Sequence, residues 1–183
     1  DRGFRTYDDR MTAEQTGEQG YPERDAAAVT ASALGWLARR RPGASFFLWV
    51  HYYDPHAPYA APGSETAAPA GTRYRDEVRY VDTQIGRLLA GLPGPAERIL
   101  VAAVADHGEM LGEHGEQQHG FFVYDAAVRI PLIVAGPGVP AYVPATIRPG
   151  WSSAPHVPRT QWRGHTPPAS TKCGVVGGCQ SWV

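Results

Sequence analysis

The chain has 183 residues, of which 43% are hydrophobic and 19% are charged, and its formal net charge is −1. This balance is typical of a globular domain that can build one hydrophobic core. There is no apolar stretch of the length a membrane helix needs, and no stripe of basic and aromatic residues. We therefore predict no membrane segment in this chain and no nucleic-acid partner. No signal-peptide pattern is present either, which leaves the compartment open.

Helices and strands alternate in the predicted order. Apolar positions recur at helical spacing between Glu23 and Arg40, and Pro42-Gly43 ends that helix. Aromatic and branched residues predict a strand over 46–50, and an apolar run predicts another over 99–104. The second helix is predicted from one stripe: Tyr74, Val78, Val81, Ile85, Leu88 and Leu89. These elements favour an α/β fold with a largely parallel sheet, and the Ala-, Pro- and Gly-rich stretch 60–73 is predicted to be a surface loop beside the substrate cleft.

A polar segment follows the first predicted strand directly. It reads His51-Tyr52-Tyr53-Asp54-Pro55-His56-Ala57-Pro58-Tyr59. Pro55 and Pro58 restrict the backbone on both sides of His56. A loop built this way can hold an imidazole in one place without a helix behind it. His56 is therefore a candidate site residue, with a purely structural loop histidine as the alternative.

Asp106-His107-Gly108 follows the second predicted strand in the same way. An aspartate supplies a hard oxygen ligand and a histidine supplies a nitrogen ligand, at the carboxyl end of a strand, where open α/β sheets bind ligands. Gly108 is expected to let the backbone turn sharply there. The alternative is that Asp106 caps a following helix and that His107 is a surface histidine.

A third histidine lies in Gln117-Gln118-His119-Gly120, a dozen residues beyond Asp106. His56, His107 and His119 could therefore converge. Right-handed crossovers between parallel strands would place residues 51–56 and 106–107 on one edge of the sheet.

These segments together resemble the sulfatase family of the alkaline-phosphatase superfamily. The resemblance rests on the Pro-His-x-Pro-Tyr segment after a strand, and on Asp-His-Gly-Glu-x-Leu-Gly-Glu-His-Gly followed by Val128-Arg129-Ile130-Pro131. It covers most of residues 1–140 and implies an incomplete alkaline-phosphatase-like sandwich that hydrolyses sulfate monoesters of small molecules or glycans.

The resemblance also implies roles for four residues. Asp106 and His107 would be ligands of a divalent cation, which is usually calcium in sulfatases that use formylglycine. His56 would contact the sulfate ester as the acid for the leaving alkoxide. His119 would stand where many members have a substrate-binding lysine. For His51 and His114 we expect packing or hydrogen bonding to site residues.

The nucleophile of the family has no counterpart in this sequence. The family carries Cys-x-Pro-x-Arg or Ser-x-Pro-x-Arg, and neither segment is present here. Asp8-Asp9 follows no apolar strand, so we interpret it as a polar turn before a helix and not as the missing pair of metal-binding aspartates. We therefore expect a catalytic-core fragment that is inactive in isolation.

Two other readings stay open. Phosphoethanolamine transferases of the same superfamily look similar around Asp-His-Gly-Glu and a following His-Gly, but they use zinc and a threonine nucleophile. The Asp-Pro-His-Ala-Pro-Tyr segment around His56 favours the sulfatases. The third reading is a non-catalytic fragment that keeps the signature of the fold.

The composition changes sharply near residue 140. All 18 acidic residues lie before residue 141, whereas 141–183 contains four basic residues, both cysteines and three of the five tryptophans. The segment shows neither strand nor helix periodicity. We predict a partial catalytic domain over 1–140 and an unpatterned basic tail over 141–183. That tail is either disordered or foreign to the sulfatase, for instance a shifted reading frame, and its Cys173-x5-Cys179 pair is a weak metal or disulfide signal.

Overall fold

A computed structural model describes residues 3–11, 23–139, 145–147, 172–173 and 175–178. The helices are α1 (Ala26–Arg39), α2 (Ala70–Ala90) and the single-turn α3 (Asp125–Val128). The strands are β1 (Trp49–Tyr52), β2 (Ile99–Val104), β3 (Ile130–Ala135), β4 (Ala145–Ile147), β5 (Lys172–Cys173) and β6 (Val175–Gly178). The chain divides into two compact units, one of Asp1–Arg40 with Tyr52–Leu92 and one of Arg41–His51 with Pro93–Val183.

The first unit is built on the pair of helices α1 and α2. Asp25 caps α1, because its side chain accepts a hydrogen bond from the Ala28 N–H at 2.8 Å, and α2 ends at Gly91. The predicted helices are confirmed, but α2 begins at Ala70, inside the stretch expected to be a loop. The buried face of α2 also differs from the predicted stripe. It consists of Tyr74, Glu77, Val81, Gln84 and Leu88.

The second unit contains a six-stranded sheet with the order β1-β6-β2-β3-β4, in which β5 also pairs with β2. β2 runs antiparallel to β3, with Val101 opposite Ala135, and β3 runs antiparallel to β4. β2 is parallel to β5 and β6. The prediction of a largely parallel sheet is therefore not confirmed. The connection from β2 to β3, residues 105–129, contains no helix longer than a single turn, whereas parallel neighbours are usually joined by an α-helix that packs on the sheet.

The strands otherwise lie close to their predicted positions. β2 covers the predicted residues 99–104, whereas β1 is shifted toward the polar segment and includes His51 and Tyr52. Asp106 therefore follows its strand as expected. Most of the predicted tail 141–183 lies outside the described residues, so the boundary at residue 140 stays a prediction. Within the described ranges, no helix is long and apolar enough to cross a membrane.

Candidate active site

The segment after β2 brings Asp106 and His107 together in the second unit. Residues 107–112 form no helix, so the alternative that Asp106 caps one is wrong. Instead, Asp106 Oδ1 accepts a hydrogen bond from the main-chain N–H of His107 at 3.0 Å. The Asp106 side chain is half exposed at the end of the strand.

Gly108 is required here by a close approach of two backbones. Its N–H donates to the Ala127 carbonyl at 2.7 Å, and a Cβ at this position would lie 1.9 Å from the carbonyl oxygen of Ala126. The sequence predicted a sharp turn, but Gly108 is not among the glycines with positive φ. Glycine is needed because the turn that contains α3 packs directly against the Asp-His-Gly backbone.

The ring of His107 has a defined tautomer. Nδ1 lies 2.8 Å from the Gly108 carbonyl, which can only accept, so Nδ1 carries the proton and Nε2 carries the lone pair. Nε2 lies 3.7 Å from Asp106 Oδ2. Protein oxygens and nitrogens bind cations at about 2.0 to 2.6 Å, so both atoms can reach a single ion. The donor set thus fits a divalent cation, although it supplies only two ligands.

A larger ligand set is not found in the described part of the chain. No group of three or more His, Cys, Asp or Glu side chains there is arranged to hold a metal. Asp8, the other acid considered from sequence, is paired with Arg10 at 2.9 Å and with Arg24 at 3.5 Å. The hydrogen bond from Arg10 lowers the pKa of Asp8 to about 2.

Glu109 holds His119 in place. Its side chain is 1% exposed, and Oε1 accepts hydrogen bonds from the His119 N–H at 2.8 Å, from His119 Nδ1 at 3.0 Å and from the Met110 N–H at 3.2 Å. The ring of His119 also packs on that of His107, with 3.8 Å between centroids. Two of the three predicted histidines are therefore neighbours, and a buried carboxylate fixes one of them.

His56 lies in the first unit, in a tight turn between β1 and α2. Its Nδ1 lies 2.7 Å from the Ala57 carbonyl, and its ring stacks on Tyr53 with 4.4 Å between centroids. The Tyr59 N–H closes the turn on the His56 carbonyl at 3.0 Å. Since a carbonyl can only accept a hydrogen bond, Nδ1 is the donor in this contact. The convergence of His56 with His107 and His119 stays a prediction.

Two acids of the first unit hold the His56 turn. Asp54 Oδ2 accepts a hydrogen bond from the Ala26 N–H at the start of α1, at 2.6 Å. Glu77 on α2 accepts from the His56 N–H and the Ala60 N–H, both at 3.1 Å. Burial raises the pKa of Asp54 to about 6, and burial together with the negative charge of Asp54 raises the pKa of Glu77 to about 7.

Sequence reasoning missed Glu77 and gave Glu109 no role of its own. The sequence does contain an indication of Glu77, because an acid three residues after Tyr74 and four before Val81 interrupts the apolar face of a helix. Of the remaining histidines, His114 stacks on Tyr124 with 4.0 Å between centroids, which confirms a packing role. His51 is an exposed residue of β1.

The segment after β2 thus combines an Asp-His pair with a second histidine that is held by a buried glutamate. The family model described as Sulfatase matches residues 2–152, and the chain belongs to the sulfatase family.

Curated relatives match over shorter stretches. The chain is 42% identical to human iduronate 2-sulfatase over 73 residues, which are 39% of this chain and 13% of that protein. It is 44% identical over 59 residues to the sulfatase YidJ of Escherichia coli strain K12, covering 32% and 12% of the two chains. Arylsulfatase of Clostridium perfringens is 23% identical over 152 residues, covering 60% and 31%.

The chain thus spans less than a third of the length of each of these relatives. No solved structure matches it significantly.

Proposed function

We propose that this chain supplies the substrate-binding and leaving-group side of a sulfatase active site, in an alkaline-phosphatase-like α/β fold. The reaction is the hydrolysis of a sulfate monoester. The observation that carries this proposal is the cluster after β2, where Glu109 fixes His119 against His107 and Asp106 lies beside His107. Membership of the sulfatase family supports the same chemistry.

Asp106 and His107 would hold a divalent cation, for which the family resemblance favours calcium. When bound, such an ion neutralises the negative charge of the sulfate oxygens. The protein contributes the orientation of both ligands. The Nδ1–H bond to Gly108 keeps the lone pair of His107 on Nε2, and the His107 N–H holds one oxygen of Asp106.

His119 is assigned to the binding of the sulfate group. Its Nδ1–H is directed at Glu109, so we assign Nε2 as the atom that contacts substrate. Sulfate oxygens only accept hydrogen bonds, so this contact requires a proton on Nε2.

His56 is assigned to the leaving group. When the bond between sulfur and the bridging oxygen breaks, the electron pair remains on that oxygen, which becomes a poor leaving group unless it is protonated. A protonated His56 donates the Nε2 proton to it. The nucleophile, which attacks the sulfur and takes up the sulfuryl group, is assigned to no residue of this chain, since neither segment that supplies it in the family is present in the 183 residues.

The names of the matching relatives differ in the alcohol of the sulfate ester. Matching relatives are described as iduronate 2-sulfatase, arylsulfatase, choline-sulfatase and steryl-sulfatase. What these names share is a sulfate ester. We propose a sulfate monoester of a small molecule or a glycan as the substrate class.

The proposal is tested on the full-length product of the coding sequence that contains this chain, assayed with 4-nitrophenyl sulfate and 4-nitrophenyl phosphate in calcium and in zinc. We expect sulfate release in calcium, lost in the His56→Ala variant, and turnover of the phosphate ester lower by at least about 100-fold. Hydrolysis of the phosphate ester alone, in zinc, would show a phosphotransferase-type enzyme instead. Absence of either activity would favour the non-catalytic reading.

A further inference from the structure

Glu77 is a buried acid on α2 that the proposed reaction does not use. Only 5% of the residue is exposed, and its neighbours on the same helix face, Tyr74 and Val81, are buried apolar side chains. Placing a carboxylate in such surroundings is costly unless its oxygens accept hydrogen bonds. The partners of these oxygens therefore indicate what the residue does.

The two oxygens of Glu77 bind opposite ends of one turn. Oε2 accepts from the main-chain N–H of His56 and Oε1 accepts from that of Ala60, each at 3.1 Å. The Tyr59 N–H bonds to the His56 carbonyl between these two points. One rigid side chain thus holds the start and the end of the His56 turn.

The conformation of this turn determines the orientation of the His56 ring. The Nδ1–H bonds to the carbonyl of Ala57, a residue inside the turn, so the acceptor moves whenever the turn moves. Tyr59 adopts a left-handed backbone conformation with φ of 56° while its ring packs edge-on against Tyr74, 5.4 Å away. A non-glycine residue in this conformation is unfavourable by itself and persists only where surrounding contacts enforce it.

We propose that Glu77 is the positioning residue of His56: by binding the His56 and Ala60 N–H groups, it holds the turn in which the Nδ1–H of His56 meets the Ala57 carbonyl, and thereby orients the ring for proton delivery from Nε2. This inference rests on the proposed function for the role of the proton. The positioning itself is a property of the first unit and can be measured without turnover.

The alternative is that Glu77 only anchors α2. Gln84 provides a matched control, because it is a buried polar residue seven positions further along the same face of α2, with 6% exposure. Its side-chain oxygen accepts from Arg87 at 2.6 Å. Gln84→Ala therefore removes a buried polar group of the same helix without removing a bond to the His56 turn.

The first experiment uses nuclear magnetic resonance of the 183-residue chain. In Glu77→Ala, we expect amide exchange of His56 and Ala60 to accelerate at least about tenfold and the His56 ring to populate both neutral tautomers. Glu77→Gln keeps one acceptor and should lie between Glu77→Ala and the parent. Gln84→Ala should leave all three signals unchanged. If Glu77→Ala does not fold, the comparison of Glu77→Gln with Gln84→Ala distinguishes positioning of His56 from anchoring of α2.

An unaltered His56 tautomer and unaltered Ala60 exchange in a folded Glu77 variant would overturn the proposal. The second experiment measures kcat and KM of the same variants in the full-length product with 4-nitrophenyl sulfate. We expect Glu77→Gln to lower kcat about tenfold or more with little change in KM, and Gln84→Ala to change neither. If Glu77→Gln alters the resonance signals but leaves kcat unchanged, Glu77 still positions His56, and the assignment of His56 as the acid is wrong.

Discussion

The carboxylate of Glu109 accepts hydrogen bonds from both the main-chain N–H and the ring Nδ1 of His119, at 2.8 and 3.0 Å. A similar arrangement recurs in the first unit, where buried Glu77 accepts from the N–H of His56. Both histidines that we assign to substrate therefore depend on a buried acid from another part of the chain. Loops hold side chains less rigidly than helices do. The hydrogen bonds to Glu109 and Glu77 therefore restrict the motion of the two histidines.

Replacement of Glu109 by alanine should destabilise the second unit. The substitution leaves three N–H donors without their acceptor, and we expect the free energy of unfolding to fall by about 2 to 3 kcal/mol. Glu109→Gln keeps an acceptor and should lose less. Urea unfolding measures both. Glu113→Ala is the control, because the Glu113 carboxylate is exposed and accepts from main-chain N–H groups of its own turn, Leu111 and Glu113. An effect as large as that of Glu109→Ala would contradict the argument.

Two glycine substitutions should change stability in opposite directions. Gly108→Ala places a Cβ 1.9 Å from the Ala126 carbonyl oxygen, so a backbone must move, and we expect a loss of about 3 kcal/mol or more. Gly86→Ala lies within α2, where a Cβ meets nothing within 4 Å, and should stabilise by about 1 kcal/mol. Thermal unfolding of the two variants measures both changes in stability. If Gly108→Ala does not alter stability, the turn that contains α3 packs less closely against Gly108 than the structure indicates.

The Asp54→Asn variant should become more stable relative to the parent as pH rises. Burial raises the pKa of Asp54 to about 6 in the folded chain, above its ordinary 3.8. The folded chain therefore binds this proton more tightly, and its contribution to stability, complete below pH 3.8, is lost as pH rises through 6. Asparagine keeps an acceptor for the Ala26 N–H without the charge. We expect a relative gain on the order of 2 kcal/mol between pH 4 and 7.

Denaturant unfolding at several pH values measures this difference, with Asp8→Asn as the control. The hydrogen bond from Arg10 lowers the pKa of Asp8 to about 2, so Asp8 is ionised in both states above pH 5. The stability difference of Asp8→Asn should be flat between pH 5 and 7. A flat difference for Asp54→Asn as well would mean that its carboxyl is not held in a poorly solvated position.

Substitutions of Asp106 and His119 should separate metal binding from sulfate binding. In the full-length product, Asp106→Ala removes the proposed anionic ligand and should lose bound calcium and activity together. His119→Lys places a lysine where, by the family resemblance, many members have one, and should keep the metal, with kcat/KM reduced by about tenfold or less. Metal analysis alongside kinetics checks both. Complete inactivity of His119→Lys with metal still bound would show that His119 transfers a proton or acts as an uncharged partner.

The 183-residue chain by itself should show no measurable sulfatase activity. It contains no recognised nucleophile segment, and loss of a covalent nucleophile costs several orders of magnitude in rate. An assay with 4-nitrophenyl sulfate and calcium measures this, and the full-length product is the positive control. Comparable turnover by the two proteins would mean that a residue of this chain serves as the nucleophile.

The sequence by itself indicated the family and the strand over 99–104, both of which are confirmed, and it selected Asp106, His107 and His119 as candidate site residues. These features depend on local order along the chain, since an apolar run followed by Asp-His-Gly predicts both a strand and what lies at its end. Spacing also predicted α1 and α2, because helical periodicity is a local property.

Only the tertiary structure decided which backbones and side chains meet. The antiparallel pairing of β2 with β3, the contact of Gly108 with Ala126 and the bonds from Glu77 to His56 and Ala60 join residues distant in sequence. From the sequence alone, a buried acid cannot be distinguished from one exposed to solvent. The free-energy cost of burying its carboxylate is offset by hydrogen-bond donors, and sequence spacing does not reveal which residues supply them.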